Sequence, residues 1–151
     1  MAEPSSRSVV EAFVRAIEAK DFDAQMALLA DDYVDEMPQS GERVRGRANW
    51  RGIIDHYPGG VGTVAGEHRL VGSDDRFIMT PSFSIVRIEG SGDTFTFAGT
   101  IRYANGELWH MVAIVEARNG RVAKTTTYYA APFSAPDWRA PFVEPMEVPH
   151  G

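Results

Sequence analysis

Cysteine is absent from the 151-residue sequence, so the chain has no disulfide framework, no thiolate nucleophile and no cysteine metal site. The histidines have no spacing that is typical of a metal site: His56, His68, His110 and His150. A glycine-rich run at 59–62 precedes a strand-like segment, where a phosphate-binding loop would need a helix. We therefore predict neither a metal nor an organic cofactor.

Positive charge is also scarce. Fifteen lysines and arginines stand against 21 acidic residues, which gives a net charge of -6. This balance argues against sequence-independent binding to nucleic acid or to an anionic membrane surface. Long apolar runs and a secretory signal are missing as well, so we expect a soluble cytoplasmic protein with no membrane contact.

The length fits one domain, residues 1–151, with a core over about 6–130. The remaining segment, 131–151, is rich in proline but carries Phe133, Trp138, Phe142 and Met146. Disordered tails are poor in aromatic residues. We therefore expect this segment to dock on its own sheet or on a second subunit.

Hydrophobic periodicity changes from helical to strand-like along the chain. A capping box at Ser8 and Glu11 predicts a first helix, Asp23 is a candidate cap for a second, and a third is expected over 47–57. Alternating runs predict strands over about 63–71, 76–88, 94–103, 107–117 and 121–129. The turns Asn105-Gly106 and Asn119-Gly120 predict hairpins. This order indicates an α+β fold, with helices packed on one face of a strongly curved, mostly antiparallel sheet.

The segment LLADDYVDEMP contains the leading candidate for chemistry, Asp35. On a strand, Tyr33, Asp35 and Met37 share one face, so a carboxylate lies among apolar neighbours. Such an environment prepares an acid or a base. A structural role stays open, because Asp35 could also cap a backbone amide or pair with an arginine.

Two further residues are candidates for catalysis beside Asp35. His110 stands between Trp109 and Met111, and either face of its strand could be the inner one. If it meets Asp35, each group shifts the pKa of the other. Tyr33 shares the face of Asp35 and is a candidate donor to a substrate carbonyl or enolate. The pocket residues that we predict are Met37, Trp50, Ile54, Phe83, Phe97 and Tyr129, which suit a small hydrophobic ligand.

The element order resembles the nuclear transport factor 2-like superfamily, and within it the SnoaL-like group. The resemblance rests on LLADDYVDEMP, on the GERVRGR loop and on VEARNGRVAKTTTYY, and it extends to about residue 130. It implies a cone-shaped cavity between the sheet and three helices. It also places Met37 where ketosteroid isomerases have their catalytic aspartate, so plain ketosteroid isomerase activity is not expected.

Three functions stay open at this point. The first is a cofactor-independent cyclase, isomerase or hydratase in which Asp35 moves a proton on an apolar carbonyl compound. The second is a non-catalytic protein that binds a small hydrophobic ligand. The third is an accessory or interaction protein, and we expect a homodimer built on the outer sheet face.

Overall fold

The structure is a computed structural model, and it describes residues 2–57, 82–103 and 106–147. The helices in these ranges are α1 (Ser6–Ala19), α2 (Phe22–Leu28) and α3 (Gly46–Asp55). The strands are β1 (Leu29–Met37), β2 (Glu42–Arg45), β3 (Ser82–Ser91), β4 (Thr94–Arg102), β5 (Leu108–Arg118) and β6 (Arg121–Ala130). A 3-10 helix, Asp137–Phe142, follows the last strand.

The first two helices begin earlier than the sequence pattern predicts. Ser5 is the N-cap of α1, where its hydroxyl accepts a hydrogen bond from the backbone N–H of Ser8 at 3.2 Å. Asp21 caps α2 by accepting from the N–H of Ala24 at 3.0 Å. The predicted caps at Ser8 and Asp23 are therefore wrong. Several capping residues stand close together in each segment, and sequence alone does not rank them.

The six strands form one sheet in the order β2-β1-β6-β5-β4-β3. Neighbouring strands are antiparallel except β1 and β6, which run parallel. β2 was expected as a loop, but it pairs with β1 through a tight turn in which the N–H of Gly41 donates to the carbonyl of Met37 at 3.0 Å. The parallel pairing places β1 beside β6, which is the second strand of the last hairpin in the chain.

The turn at Asn119-Gly120 is confirmed, with φ angles of 51° and 68°. Two residues of positive φ are what a tight hairpin turn needs. The turn pairs Arg118 with Arg121, a bulge between Glu116 and Ala117 then shifts the register, and Ala113 lies opposite Thr127. The predicted strand over 63–71, the first part of that over 76–88, and Asn105 lie outside the described residues.

The core lies between α1 and the inner face of the sheet. Alternate residues of β5 point inward, and Trp109, Met111, Ala113 and Val115 are all buried. They belong to one apolar cluster with Val9, Val10, Phe13 and Val14 of α1. The expected α+β arrangement, with helices on one face of a curved mixed sheet, is confirmed. Within the described ranges, no helix is long and apolar enough to cross a membrane.

Gly90 is predicted to be the least replaceable glycine of the β3–β4 hairpin. Its φ is 133°, and a Cβ added there would lie 2.4 Å from the carbonyl oxygen of Thr94 and 2.8 Å from the Cα of Phe95. Gly90→Ala should therefore lower the free energy of unfolding by about 2 kcal/mol or more, as measured by urea denaturation. Gly52→Ala is the control, because nothing lies within 4 Å of its added Cβ and alanine favours a helix. Equal effects of the two changes would contradict this account.

Candidate functional site

A cavity of about 1140 Å³ lies between the helices and the inner face of the sheet. Large side chains from α1, α2, α3 and the sheet give it an apolar lining. The main ones are Phe13, Ile17, Phe22, Met37, Trp50, Ile54, Phe97, Ile101, Trp109 and Met111. Such a lining suits the apolar body of a small molecule.

Most of the predicted pocket residues line this cavity. They are Met37, Trp50, Ile54, Phe97 and Tyr129, and Tyr33 lines it as well. The rings of Tyr33 and Trp50 meet edge to face, with centroids 6.1 Å apart. Phe83 lies on β3, but its side chain is outside the described part of the structure.

Asp35 is buried, with 1% of its surface exposed, and its Oδ1 accepts two hydrogen bonds from β6. Thr125 Oγ1 donates at 2.6 Å and Thr127 Oγ1 at 3.0 Å. The Tyr33 hydroxyl lies 2.5 Å from Thr125 Oγ1. Since the single hydroxyl proton of Thr125 is donated to the carboxylate, Tyr33 must be the donor to Thr125. The result is a directed chain from Tyr33 through Thr125 to Asp35.

The carboxyl of Asp35 lies directly behind the cavity wall. Tyr33, Thr125 and Thr127 line the cavity, and the carboxyl contacts the two threonine hydroxyls from behind. The second oxygen, Oδ2, accepts no hydrogen bond from any described residue. Oδ2 is therefore the carboxyl oxygen that no described residue occupies.

Burial raises the pKa of Asp35 from its ordinary value of 3.8, and the hydrogen bonds from Thr125 and Thr127 offset part of this rise. The negative charge of Glu36 raises it further. Within the described ranges no lysine or arginine pairs with Asp35, so no positive charge opposes the desolvation. Burial and the charge of Asp35 also raise the pKa of Tyr33, which keeps this phenol neutral.

Three more tyrosines line the cavity: Tyr57, Tyr103 and Tyr129. Burial raises the pKa of Tyr57 to about 12, and it also raises the pKa values of Tyr103 and Tyr129. The charge of Asp35 adds to the rise at Tyr129, so these two groups lie within electrostatic reach. Gln39 holds the backbone of Tyr129, because its amide donates to the Tyr129 carbonyl and accepts from the Tyr129 N–H. The cavity therefore presents neutral hydroxyl groups close to a carboxyl group.

His110 does not join Asp35, and the structure corrects this expectation. Its side chain is exposed on the outer face of β5, whereas Trp109 and Met111 point inward. Neighbouring strand residues point to opposite faces, so burial of the two large apolar residues turns His110 outward. Sequence alone left either set of alternate residues free to be the inner one.

Sequence reasoning missed Thr125 and Thr127. Both stand in the run KTTTYY and share the inner face with Tyr129 by alternation. Because Tyr129 was expected in the pocket, alternation along the strand could have placed Thr125 and Thr127 on the same face. Their contact with Asp35 could not be predicted from the sequence, because it depends on the parallel pairing of β1 with β6 that sets Asp35 beside Thr125.

Charged residues also belong to the lining of the cavity. Arg43 and Arg45 are exposed members of its lining, and Lys20 at the end of α1 also contributes. Glu42, the neighbour of Arg43 on β2, adds a negative charge to this lining. In the part of the chain that the structure describes, no cluster of three or more histidine, aspartate or glutamate residues could hold a metal ion.

A family model described as the SnoaL-like domain matches residues 10–125. The chain belongs to the SnoaL-like family. A solved structure of an NTF-2 like protein of unknown function from Burkholderia xenovorans LB400 is 34% identical to it, with a TM-score of 0.71 over 94% of this chain and 95% of that one. Comparison with curated proteins gives no significant match.

More distant solved structures share the fold of this SnoaL-like protein. A proposed ketosteroid isomerase from Kribbella flavida is 20% identical, with a TM-score of 0.75, and the match covers 95% of this chain and 90% of that one. An LEH-like epoxide hydrolase from M. tuberculosis is 21% identical, with a TM-score of 0.58 over 82% of this chain and 81% of that one. At these identities the likeness establishes the nuclear transport factor 2-like fold, not the reaction.

The two neighbouring carboxyl groups of β1 should respond to pH with opposite sign. The pKa of Asp35 is raised in the folded state, so the ionised form destabilises the fold as pH rises from about 4. The pKa of Glu36 is lowered, chiefly by its hydrogen bond with Lys124, so Glu36 stabilises the fold above its unfolded pKa and loses this effect as pH falls. Asp35→Asn should therefore gain stability relative to wild type as pH rises, whereas Glu36→Gln should lose it.

Urea denaturation of wild type and both variants between pH 4 and 8 measures these differences. Each variant is the control for the other, since the two residues are adjacent on one strand and face opposite sides. A loss of stability in Asp35→Asn that grows with pH would show that the charged carboxylate stabilises the fold.

Proposed function

We propose that this SnoaL-like protein is a cofactor-independent enzyme that transfers a proton on an apolar carbonyl substrate, in an isomerisation, cyclisation or hydration. The observation that carries the proposal is the Asp35 carboxyl, buried behind the wall of an apolar cavity with no cation beside it in the described residues. Burying a charge without a cation costs stability. A costly group at the edge of a cavity is typical of a functional site.

Asp35 acts as the proton-transferring group through Oδ2. Thr125 and Thr127 occupy Oδ1 and hold the carboxyl in one orientation. The raised pKa brings this carboxyl closer to neutral pH, where a general base and its protonated form are both useful. Tyr33 is a positioning residue in this scheme, because its hydroxyl is donated to Thr125.

The neutral tyrosines supply the hydrogen-bond donors of the site. When a proton leaves the carbon next to a carbonyl group, negative charge develops on the carbonyl oxygen. The Tyr129 hydroxyl, which lies within electrostatic reach of Asp35, donates a hydrogen bond to that oxygen, and Tyr57 is a second donor. A phenol of raised pKa donates a hydrogen bond without losing its own proton.

The ligand that fits this cavity has an apolar body and at least one carbonyl oxygen. The apolar lining supports the first feature and the tyrosines support the second. The names of the distant relatives, an isomerase and an epoxide hydrolase, agree with chemistry on small molecules.

A cytoplasmic location of the protein stays a prediction.

Asp35→Asn should lower proton transfer by roughly two orders of magnitude or more and leave ligand affinity largely intact. The measurement is exchange of α-protons for deuterium in apolar ketones that bind the wild-type protein, followed by NMR in D₂O. This assay detects proton abstraction even where the final product is unknown. Glu36→Gln is the control, since it changes a carboxyl of the same strand on the opposite face.

A second function, binding without catalysis, has one observation in its favour. The Asp35 carboxyl lies behind the threonines, and one of its oxygens is fully occupied by them. Wild-type protein that binds an apolar ketone tightly but promotes no exchange would favour this function. If Asp35→Asn leaves the deuterium exchange intact, the protein is still an enzyme but Asp35 has no part in its mechanism.

We also propose that the protein works as a homodimer through the outer face of the sheet. Helices cover the inner face, whereas the outer face presents Val112 and Tyr128 with 39% and 42% of their surfaces exposed. These residues are neighbours, because Val112 lies opposite Tyr128 in the β5–β6 ladder. An apolar patch at the centre of a sheet face is suited to pairing with its own copy around a two-fold axis.

Light scattering should give a mass of twice 16.7 kDa at micromolar concentration. Val112→Glu should shift the protein toward the monomer, because it places a charge in the centre of the interface. Glu116→Gln, on the same face near the end of β5, is the matched control. A monomer at all concentrations for the wild-type chain would overturn the dimer.

A further inference from the structure

The segment after β6 exposes large apolar side chains that its own domain does not cover. Phe133 and Phe142 are each 82% exposed, Met146 is 79% exposed and Trp138 is 72% exposed. Val143 adds a fifth apolar residue at 54%. So many large apolar side chains on one short segment mark an interaction site rather than a solvated tail.

This segment, residues 132–147 and here called the C-terminal arm, has local order of its own. It contains the 3-10 helix Asp137–Phe142, in which the N–H of Arg139 donates to the carbonyl of Pro136 at 3.1 Å. The Arg139 guanidinium lies 5.5 Å from the centre of the Trp138 ring. Its prolines, Pro132, Pro136, Pro141 and Pro145, further restrict the backbone. A segment that is already restricted loses less entropy on docking.

We propose that the C-terminal arm docks on a second copy of this chain, on the outer face of the partner's sheet. The inference rests on the homodimer proposed above. The arm leaves the sheet after Ala130, which lies opposite His110 on the ladder that also carries Val112 and Tyr128. A second copy paired through these faces by a two-fold axis would therefore lie beside the end of β6 from which the arm extends.

The exposed area of the arm matches what a stable dimer needs. Each aromatic side chain buries roughly 150–250 Å² when it is covered. Three such residues with Met146 and Val143 therefore approach the roughly 800 Å² per partner of a standard interface. The arm has three acidic residues, Asp137, Glu144 and Glu147, against Arg139, and this balance disfavours an anionic lipid surface as its occupant.

The first test compares dimer dissociation constants by sedimentation in the full-length chain. Trp138→Ser with Phe142→Ser should weaken the dimer at least about 30-fold, the loss expected for truncating one anchoring aromatic residue. Glu144→Ser with Glu147→Ser is the matched control in the same arm and should change it little. A wild-type monomer would overturn both the dimer and the arm's role. A dimer that both double variants leave intact would overturn the arm's role alone.

The second test asks which copy receives the arm. Chains with benzoylphenylalanine in place of Phe142 are prepared in ¹⁴N and ¹⁵N forms, mixed, allowed to re-equilibrate and irradiated. Linked peptides that join the arm of one isotope to β5 or β6 of the other are the expected product. Links within one isotope only would show that the arm folds on its own sheet, and links to added lipid vesicles alone would assign it to a membrane surface. Either result overturns the proposal.

Discussion

The parallel pairing of β1 with β6 is the interaction on which the rest of the site depends. It joins a strand from the first quarter of the chain to the last strand along the chain, β6, and it sets Asp35 directly beside Thr125. Two threonine hydroxyls on alternate residues of β6 then reach one carboxyl oxygen. Without this pairing, the acid, its donors and Tyr129 would lie on separate elements with no common cavity wall.

Asp35 and Glu36 show how one strand produces two different acids. Both are carboxyl groups on adjacent residues, but alternation sends one into the core and the other to the surface. Burial dominates at Asp35 and raises its pKa, whereas Lys124 and Arg43 lower the pKa of Glu36. The difference between the two pKa values arises from the surroundings of each carboxyl group and not from the group itself. It is also the physical basis for assigning chemistry to Asp35, because a solvated acid with cation partners has no reason to change its protonation near neutral pH.

The two faces of the sheet have different roles. The inner face, covered by helices, combines apolar packing with the cavity and its hydroxyl groups. The outer face carries His110, Val112 and Tyr128, which no helix in the described ranges covers. The same alternation that buries Trp109 and Met111 therefore removes His110 from the site and adds it to the surface where the second subunit is proposed to lie.

The sequence by itself determined the features that depend on local periodicity and turn chemistry. The α+β order of helices and strands, the hairpin at Asn119-Gly120 and the shared inner face of Tyr33, Asp35 and Met37 all follow from spacing or from residues that tolerate positive φ. Only the tertiary structure decided the contact of Asp35 with Thr125 and Thr127, the outward position of His110 and the short strand β2. The physical reason is that these features depend on which strands become neighbours and which face the helices cover, and such long-range choices are made by packing and not by local propensity.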